Sequence, residues 1–486
     1  MSKLSRLSLT FLAALFLPLA TSAHSTDLAF PATPQGAHAF AYFAAFNAGE
    51  EAMRAFWTTH GSAKALAQRP VEARLGVYRN MRDEFGALTP VRIGASDADG
   101  IEVHVRTEHG PAIRIRFQCE AEDPFGVIAL RVEDEGGGED GRGAPPPEPA
   151  GPPPGDDAIV ASLGGELDSL AKAGAFSGVA LLDKDGATLF GRAYGLASRT
   201  AHTPNRLDTR FNLASINKIF THVAILQLAE AGKLSLDDTV DRFLDDYPRE
   251  AAKKITIRML LDHRGGVPDV LEHPRLAESP ASVRSAADWY ALVKGMPLDF
   301  EPGTRERYSN GGFVLLGEIV ARVSGEDYYD YVRKHVYAPA GMTRSDHYAE
   351  DEKVEGRATP YTSDESSSRA KADPRAGAHV AGLPGRGSAA GGGYSTAGDL
   401  VRFARALRAG KLLDLSKGEG PIGAAPAFGI AGGSPGVNGL LVLEGPYTLV
   451  VLANTDPPAA ERFARTVGRM LARASAGGAR REAGAH

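Results

Sequence analysis

Ser215 and Lys218 stand three residues apart in the stretch from Phe211 to Gly232, FNLASINKIFTHVAILQLAEAG. On a helix, residues three apart share a face, so the lysine amine can lie against the serine hydroxyl. A serine hydroxyl is protonated at neutral pH and attacks poorly unless a neighbour takes its proton. Lysine can do so only where desolvation or nearby cations lower its pKa. The residues after Lys218 supply the burial. Ile219, Phe220, Val223, Ala224, Ile225, Leu226, Leu228 and Ala229 are apolar nearly all the way round, which predicts a central buried helix closed by Gly232 as its C-terminal cap. The chemistry so predicted is nucleophilic attack by an activated Ser215 hydroxyl. A place at a helix start suits that role, because free N–H groups and the helix dipole favour developing negative charge there.

Ser-x-x-Lys is frequent by chance, and it gains weight from two motifs further along the chain. RYSNGGFVLLGEIV contains Tyr308-Ser309-Asn310, and nearer the C-terminus FGIAGGSPGVNG precedes YTLVVLANTDPP. With the flanking phrases ITIRMLLDHRGGVPD, FEPGTRERYSNGGFVLLGEIV and GGGYSTAGDLVRFARAL, these motifs resemble the serine β-lactamase and penicillin-binding superfamily. The Tyr-x-Asn form is similar to the class C β-lactamase-like branch, which also holds D-alanyl peptidases and esterases. The resemblance runs from about Ala158 to Leu471. It implies an α+β fold: a β-lactamase/transpeptidase-like domain whose terminal segments build one antiparallel sheet flanked by helices, with a helical subdomain beside it and the site between them.

The resemblance also implies roles. Ser215 would be the nucleophile, and either Lys218 or Tyr308 the base, with the tyrosine hydroxyl between serine and lysine. Asn310 would offer its amide to Lys218 and to a substrate carbonyl. The third motif departs from the family pattern, which has Lys or His, one residue, then Gly; here Ile430 occupies the polar position. Ala431, Gly432 and Gly433 still let backbone approach a ligand, and the Gly433 N–H would complete an oxyanion hole with that of Ser215. Ile430 cannot hold a carboxylate, which counts against lactams and D-alanyl peptides. In LLDHRGGVPD, Arg264-Gly265 replaces the family's Thr-Ser after His263, which reads as a structural loop residue, and His222 reads as a core histidine. Nothing has zinc-ligand spacing, and Gly391-Gly392-Gly393 lacks phosphate-loop context, so neither a metal nor another cofactor is expected. The substrate expected is a small acyl ester, amide or peptide. The alternatives are a β-lactamase or D-alanyl peptidase, and a ligand-binding or regulatory protein with weak turnover.

Organisation follows from composition. Residues 1–23 have a basic start, an apolar core and the small residues Thr21-Ser22-Ala23, which predicts a signal peptide and a secreted or periplasmic protein with no membrane span after its removal. The apolar run is shorter than the ~20 residues a spanning helix needs. The chain has 486 residues, of which 43% are hydrophobic, more than one ordinary domain requires. A net charge of −6 with mixed signs gives no basis for nucleic-acid binding. Cys119 is the only cysteine, so no disulfide within the chain supports the fold.

Helical periodicity through AHAFAYFAAFNAGEEAMRAFW and VEARLGVYRNMRDEFG, then alternation in IEVHVRT, AIRIRF and VIALRVE, predicts a small α+β domain over 27–135. It resembles the cone-shaped nuclear-transport-factor-like type. His104, His109 and Arg114 read as solvated strand and turn residues. Residues 136–157 are Gly- and Pro-rich and read as a linker, 158–475 as the hydrolase domain, and 476–486 as a tail. Limited proteolysis should therefore cut first within 136–157 and release a C-terminal fragment that retains hydrolase activity. Gel analysis with mass mapping checks it, and a fragment that is stable but inactive would show that the first domain shapes the site.

Overall fold

The computed structural model describes residues 28–134 and 153–475, apart from 69, 98–99, 109–111, 121–125, 364–370, 374–377, 381, 416–426, 458–459, 461–462 and 464–466. The expected signal segment, the linker up to residue 152, the tail and His109 lie outside the described residues. Two compact units are present, Met1–Gly151 and Pro152–His486.

In the first unit the helices Pro34–Ala48, Glu50–His60, Ala63–Gln68 and Val71–Phe85 precede four antiparallel strands, Leu88–Asp97, Gly100–Thr107, Ile113–Cys119 and Val127–Asp134, paired in chain order. Gly49, at φ 122°, divides what periodicity reads as one long helix; few other residues adopt that conformation without strain. The first strand escapes a period-two reading because register shifts at Pro90/Arg92 and Ile93/Ser96 interrupt its alternation. One face of the sheet supplies Ile101, Val103, Val105, Ile113, Ile115 and Phe117 to a core shared with Tyr42, Phe46, Phe56 and Leu75. His104 corrects the expectation of a solvated residue. It is buried on the opposite face, where Arg92 contacts its ring at 3.0 Å and Glu102 lies 3.4 Å away.

The second unit is organised by one antiparallel sheet. Its strands lie in the order Ala427–Ser434, Val437–Glu444, Tyr447–Ala453, Gly178–Lys184 and Ala187–Tyr194. The chain thus leaves the sheet after its first hairpin and returns for the last three strands. Asp185 (φ 47°) and Gly186 (φ 92°) close that hairpin, the two-residue positive-φ turn that matches strand twist. Period-two alternation gives each face its own core. Val179, Leu181, Leu441, Val450 and Leu452 pack on the helical subdomain. Ala180, Leu182, Leu449 and Val451 pack on the helix Asp156–Lys172 and on Phe463, Val467 and Leu471. Asp156 and Asp157, assigned to the linker from composition, form this helix's acidic first turn, where negative charge opposes the helix dipole favourably. Asp156 also accepts from Lys184 at 2.8 Å and from the Tyr447 hydroxyl at 2.7 Å.

Two helices carry the central motifs. Lys218–Glu230 is buried on nearly every side and ends before Gly232, at φ 67°. Asn310–Ser324 begins at Ser309, whose hydroxyl accepts the Gly312 N–H at 3.0 Å, and ends at left-handed Gly325. Between them and the helix Tyr328–Val332, the Thr221 and Tyr328 hydroxyls share a buried 2.6 Å hydrogen bond. No helix among the described residues is long and apolar enough to cross a membrane.

Candidate active site

The backbone at Ser215 is not the start of a continuous α-helix, as the motif spacing predicts. Ala214–Asn217 is a 3-10 turn, and the α-helix starts at Lys218. Residues three apart eclipse on a 3-10 turn, so the outcome is a closer juxtaposition: Lys218 Nζ lies 3.2 Å from Ser215 Oγ. Ala214 enters the turn at φ 42°, a strained conformation for a residue with a Cβ. Its N–H donates to Asn212 Oδ1 at 2.9 Å, and its carbonyl accepts the Gly392 N–H at 3.3 Å.

Lys218 is 4% exposed, and four oxygens surround its Nζ. These are Tyr308 Oη at 2.5 Å, Asn310 Oδ1 and the Ala390 carbonyl at 2.7 Å each, and Ser215 Oγ. The Ser215 and Tyr308 hydroxyls are 2.6 Å apart. Ser215, Lys218, Tyr308 and Asn310 are thus brought together as one hydrogen-bonded group. Desolvation drives the Lys218 amine from 10.5 down to about 7, against the opposing pull of Asp269. Burial also pushes the Tyr308 hydroxyl up, with the Ser215 hydrogen bond working the other way. Tyr308 keeps 46% of its surface exposed, so solvent softens that push. Both shifts favour neutral forms. A neutral amine has two N–H groups and one lone pair. Asn310 Oδ1 and the Ala390 carbonyl, which only accept, take the N–H groups, leaving the lone pair for the hydroxyls of Tyr308 and Ser215. The shorter proton path from Ser215 to Lys218 runs through Tyr308, at 2.6 and 2.5 Å against 3.2 Å directly.

The loop 263–269 braces the Tyr-Ser-Asn motif. His263, at φ 57°, lays its ring 4.6 Å from that of Tyr308 and 5.3 Å from that of Phe313, and its Nδ1 accepts the Ser309 N–H at 3.2 Å. Burial and the Lys218 charge push it down to about 4. Arg264, the departure from the family loop, donates to the Gly303 carbonyl at 2.6 Å and ties this loop to the approach to Tyr308. Sequence reasoning missed Asp269. Its two oxygens accept from Asn310 Nδ2 at 3.0 and 2.9 Å, which qualifies the reading of Asn310 as a substrate-binding amide, since that nitrogen is already engaged. The pairing spans 41 residues, and no local spacing announces it. His222 is a buried core residue, pushed down to about 4 by desolvation.

The third motif lies on the edge strand Ala427–Ser434. Gly432 is buried against the nucleophile turn, and a Cβ there would collide with the Leu213 carbonyl oxygen and come 3.0 Å from the Ser215 nitrogen. Its lack of a side chain lets the strand approach that turn. Gly433, next along, is exposed, with its backbone near that of Ser215 through this contact. Ile430 is half-buried, pairs with Leu441 and packs on the helical core. By the alternation of the strand it shares a face with Gly432, the side that meets the nucleophile turn. Gly391-Gly392-Gly393 wraps the same turn from another direction: Leu213 donates to the Gly393 carbonyl at 2.8 Å. Among the described residues no group of three His, Cys, Asp or Glu side chains could hold a metal ion.

Residues 164–474, more than half of the chain, match the family model described as Beta-lactamase. A penicillin-binding protein of Bacillus subtilis (strain 168) is 32% identical over 196 residues, covering 37% of this chain and 43% of that protein. A D-aminopeptidase of Brucella anthropi is 30% identical over 171 residues, covering 35% and 32%. The chain thus spans less than half the length of these two relatives. The crystal structure of a penicillin binding protein from Bacillus halodurans superposes with a TM-score of 0.55 at 30% identity, covering 62% of this chain and 98% of that one.

With Lys218 brought to about 7, a base that must be unprotonated loses activity as pH falls through that value and reaches a plateau above it. The histidines nearest the site, His263 and His222, are pushed to about 4 and titrate well below this limb. The expected profile of kcat/KM with an activated ester rises through about pH 7 in the wild type. In Lys218→Arg the plateau should drop by ~100-fold or more and the limb should vanish. A limb that persists near 7 in Lys218→Arg would assign it to another group.

Proposed function

The chain belongs to the beta-lactamase family, and from that premise we propose that it is an exported serine hydrolase that forms an acyl-serine at Ser215, acting by preference on small neutral acyl esters or amides. The observation that carries the reading is a half-buried serine hydroxyl with both a desolvated lysine amine and a tyrosine hydroxyl in hydrogen-bonding reach. Ser215 Oγ attacks the acyl carbon, its proton passing through Tyr308 to Lys218. The N–H groups of Ser215 and Gly433 stabilise the oxyanion. As the tetrahedral species collapses, the bond to the leaving group breaks and the proton returns along the same path to the departing oxygen or nitrogen. Water then attacks the acyl-serine by the reverse sequence. Ser215→Ala should form no acyl-enzyme with an activated ester by intact-mass measurement while melting as the wild type does; an acylated variant would refute the assignment.

The preference for neutral substrates rests on Ile430. The alternative is a β-lactamase or D-alanyl peptidase, but D-alanyl carboxy-terminal peptides and lactams carry a carboxylate, and Ile430 offers it only methyl groups. A missing charge-assisted hydrogen bond costs about 1.5–3 kcal/mol, or about one to two decades in affinity or rate. Wild type should hydrolyse short neutral esters measurably and cephalosporins barely, and Ile430→Lys or Ile430→His should narrow that ratio by about ten- to a hundredfold. Measuring kcat/KM for both substrate types checks it. A wild type that already prefers cephalosporins contradicts the proposal, and an unchanged ratio in both variants removes Ile430 from the pocket.

A further inference from the structure

The Asn310 amide has two ends, and the site needs only one orientation. Its Oδ1 accepts from Lys218 Nζ at 2.7 Å, and its Nδ2 donates to both oxygens of Asp269, at 3.0 and 2.9 Å. A carboxylate can only accept, so a flipped amide would set oxygen against oxygen at Asp269 and offer Lys218 a donor where it requires an acceptor. Asp269 is itself anchored: its Oδ1 accepts the Leu271 N–H at 3.0 Å and caps the short 3-10 turn Val270–Glu272. Ser309, the residue before Asn310, donates its hydroxyl to the Pro268 carbonyl at 3.1 Å, so Pro268 and Asp269 hold adjacent residues of the motif.

We infer that Asp269 is a positioning residue of the hydrolase site: by engaging Asn310 Nδ2 it keeps Asn310 Oδ1 on Lys218, so that with Ala390 it orients the amine's lone pair toward Tyr308 and Ser215. The inference rests on the acyl-serine reading given above. Asp269 acts by charge as well as geometry. The ionisable groups facing this spot are Lys218 from the central helix, Tyr308 from the motif, and His263 from the same loop, with His222 close enough to His263 for repulsion to register. Both histidines are pushed to about 4 and are neutral at neutral pH. Asp269 acts on both candidate bases, raising Lys218 and Tyr308 alike. Its removal must move the acid limb of the reaction to lower pH whichever of the two is the base.

The test uses the full chain and a fluorophosphonate, which phosphonylates a nucleophilic serine with loss of fluoride and needs no natural substrate. Labelling rates at Ser215 are followed by intact mass against pH for wild type, Asp269→Asn and Asp269→Ser. Both replacements are good N-caps, so the turn Val270–Glu272 is kept, and thermal melts verify the fold. The expected result is an acid limb moved down by about half a pH unit or more in both variants, with a roughly tenfold lower plateau and partial recovery of the plateau in Asp269→Glu. A limb that stays in place in both variants, whatever the plateau does, overturns the inference and leaves Asp269 a turn cap. A wild type that takes no label at Ser215 overturns the acyl-serine reading, and this inference with it.

Discussion

The structure depends on the burial of one amine. An ammonium enclosed among apolar side chains is strongly disfavoured, and Lys218 lies on a helix buried on nearly every side, with Phe220, Val223 and Ile225 buried along it. The fold resolves this in two ways at once. It surrounds Nζ with oxygens from four residues in three stretches of the chain, and it allows the group to exist without its charge at neutral pH. The elements around the site serve that arrangement. The 3-10 turn brings Ser215 over the lysine, the loop 263–269 holds Tyr308 and Asn310, and the glycine loop before Tyr394 delivers the Ala390 carbonyl. Burial that costs stability in an ordinary core residue here supplies the neutral amine that the proposed chemistry requires, a usual association of strained or desolvated groups with function.

What could be read in the sequence depends on the range of the signal. Motif spacing brought Ser215, Lys218, Tyr308 and Asn310 into view together because each sits in a phrase of fixed order. Alternation and turn residues disclosed the hairpin around Asp185-Gly186 and the last strands, since a sheet face writes itself every second residue. The features that stayed hidden are those set by contacts across the chain. Asp269 looks like any loop aspartate until Asn310 is folded against it. Arg264 looks like a surface cation until its guanidinium meets Gly303. His104 has the strand position of a solvated residue, but Arg92 and Glu102 close over it. The 3-10 turn at Ala214 was illegible for another reason, because its strain is imposed by Gly392 and Asn212 and not by the propensity of ASIN.

The third motif shows how steric and chemical demands separate. Gly432 meets a steric demand: the strand must lie against the nucleophile turn, and no side chain fits between them. Ile430, two residues earlier on the same face, is half-buried and packs on the helical core, so its demand is one of apolar contact and not of backbone clearance. Backbone approach and side-chain polarity are thus separable at this edge, which is how one fold can host different reactions.

The return of the chain to its first hairpin has a consequence in time. Gly178–Lys184 lies between Ala187–Tyr194 and Tyr447–Ala453, and Ser177 donates to Asn454 across 277 residues. Contacts of such sequence separation form late, because a long loop must close before they form. The strand that carries Gly433 joins the sheet through this closing set. A partly folded chain can therefore present Ser215 and Lys218 without the edge strand that packs against their turn. The full set of groups around Ser215 is therefore a property of the closed sheet and not of the segment 211–232 alone.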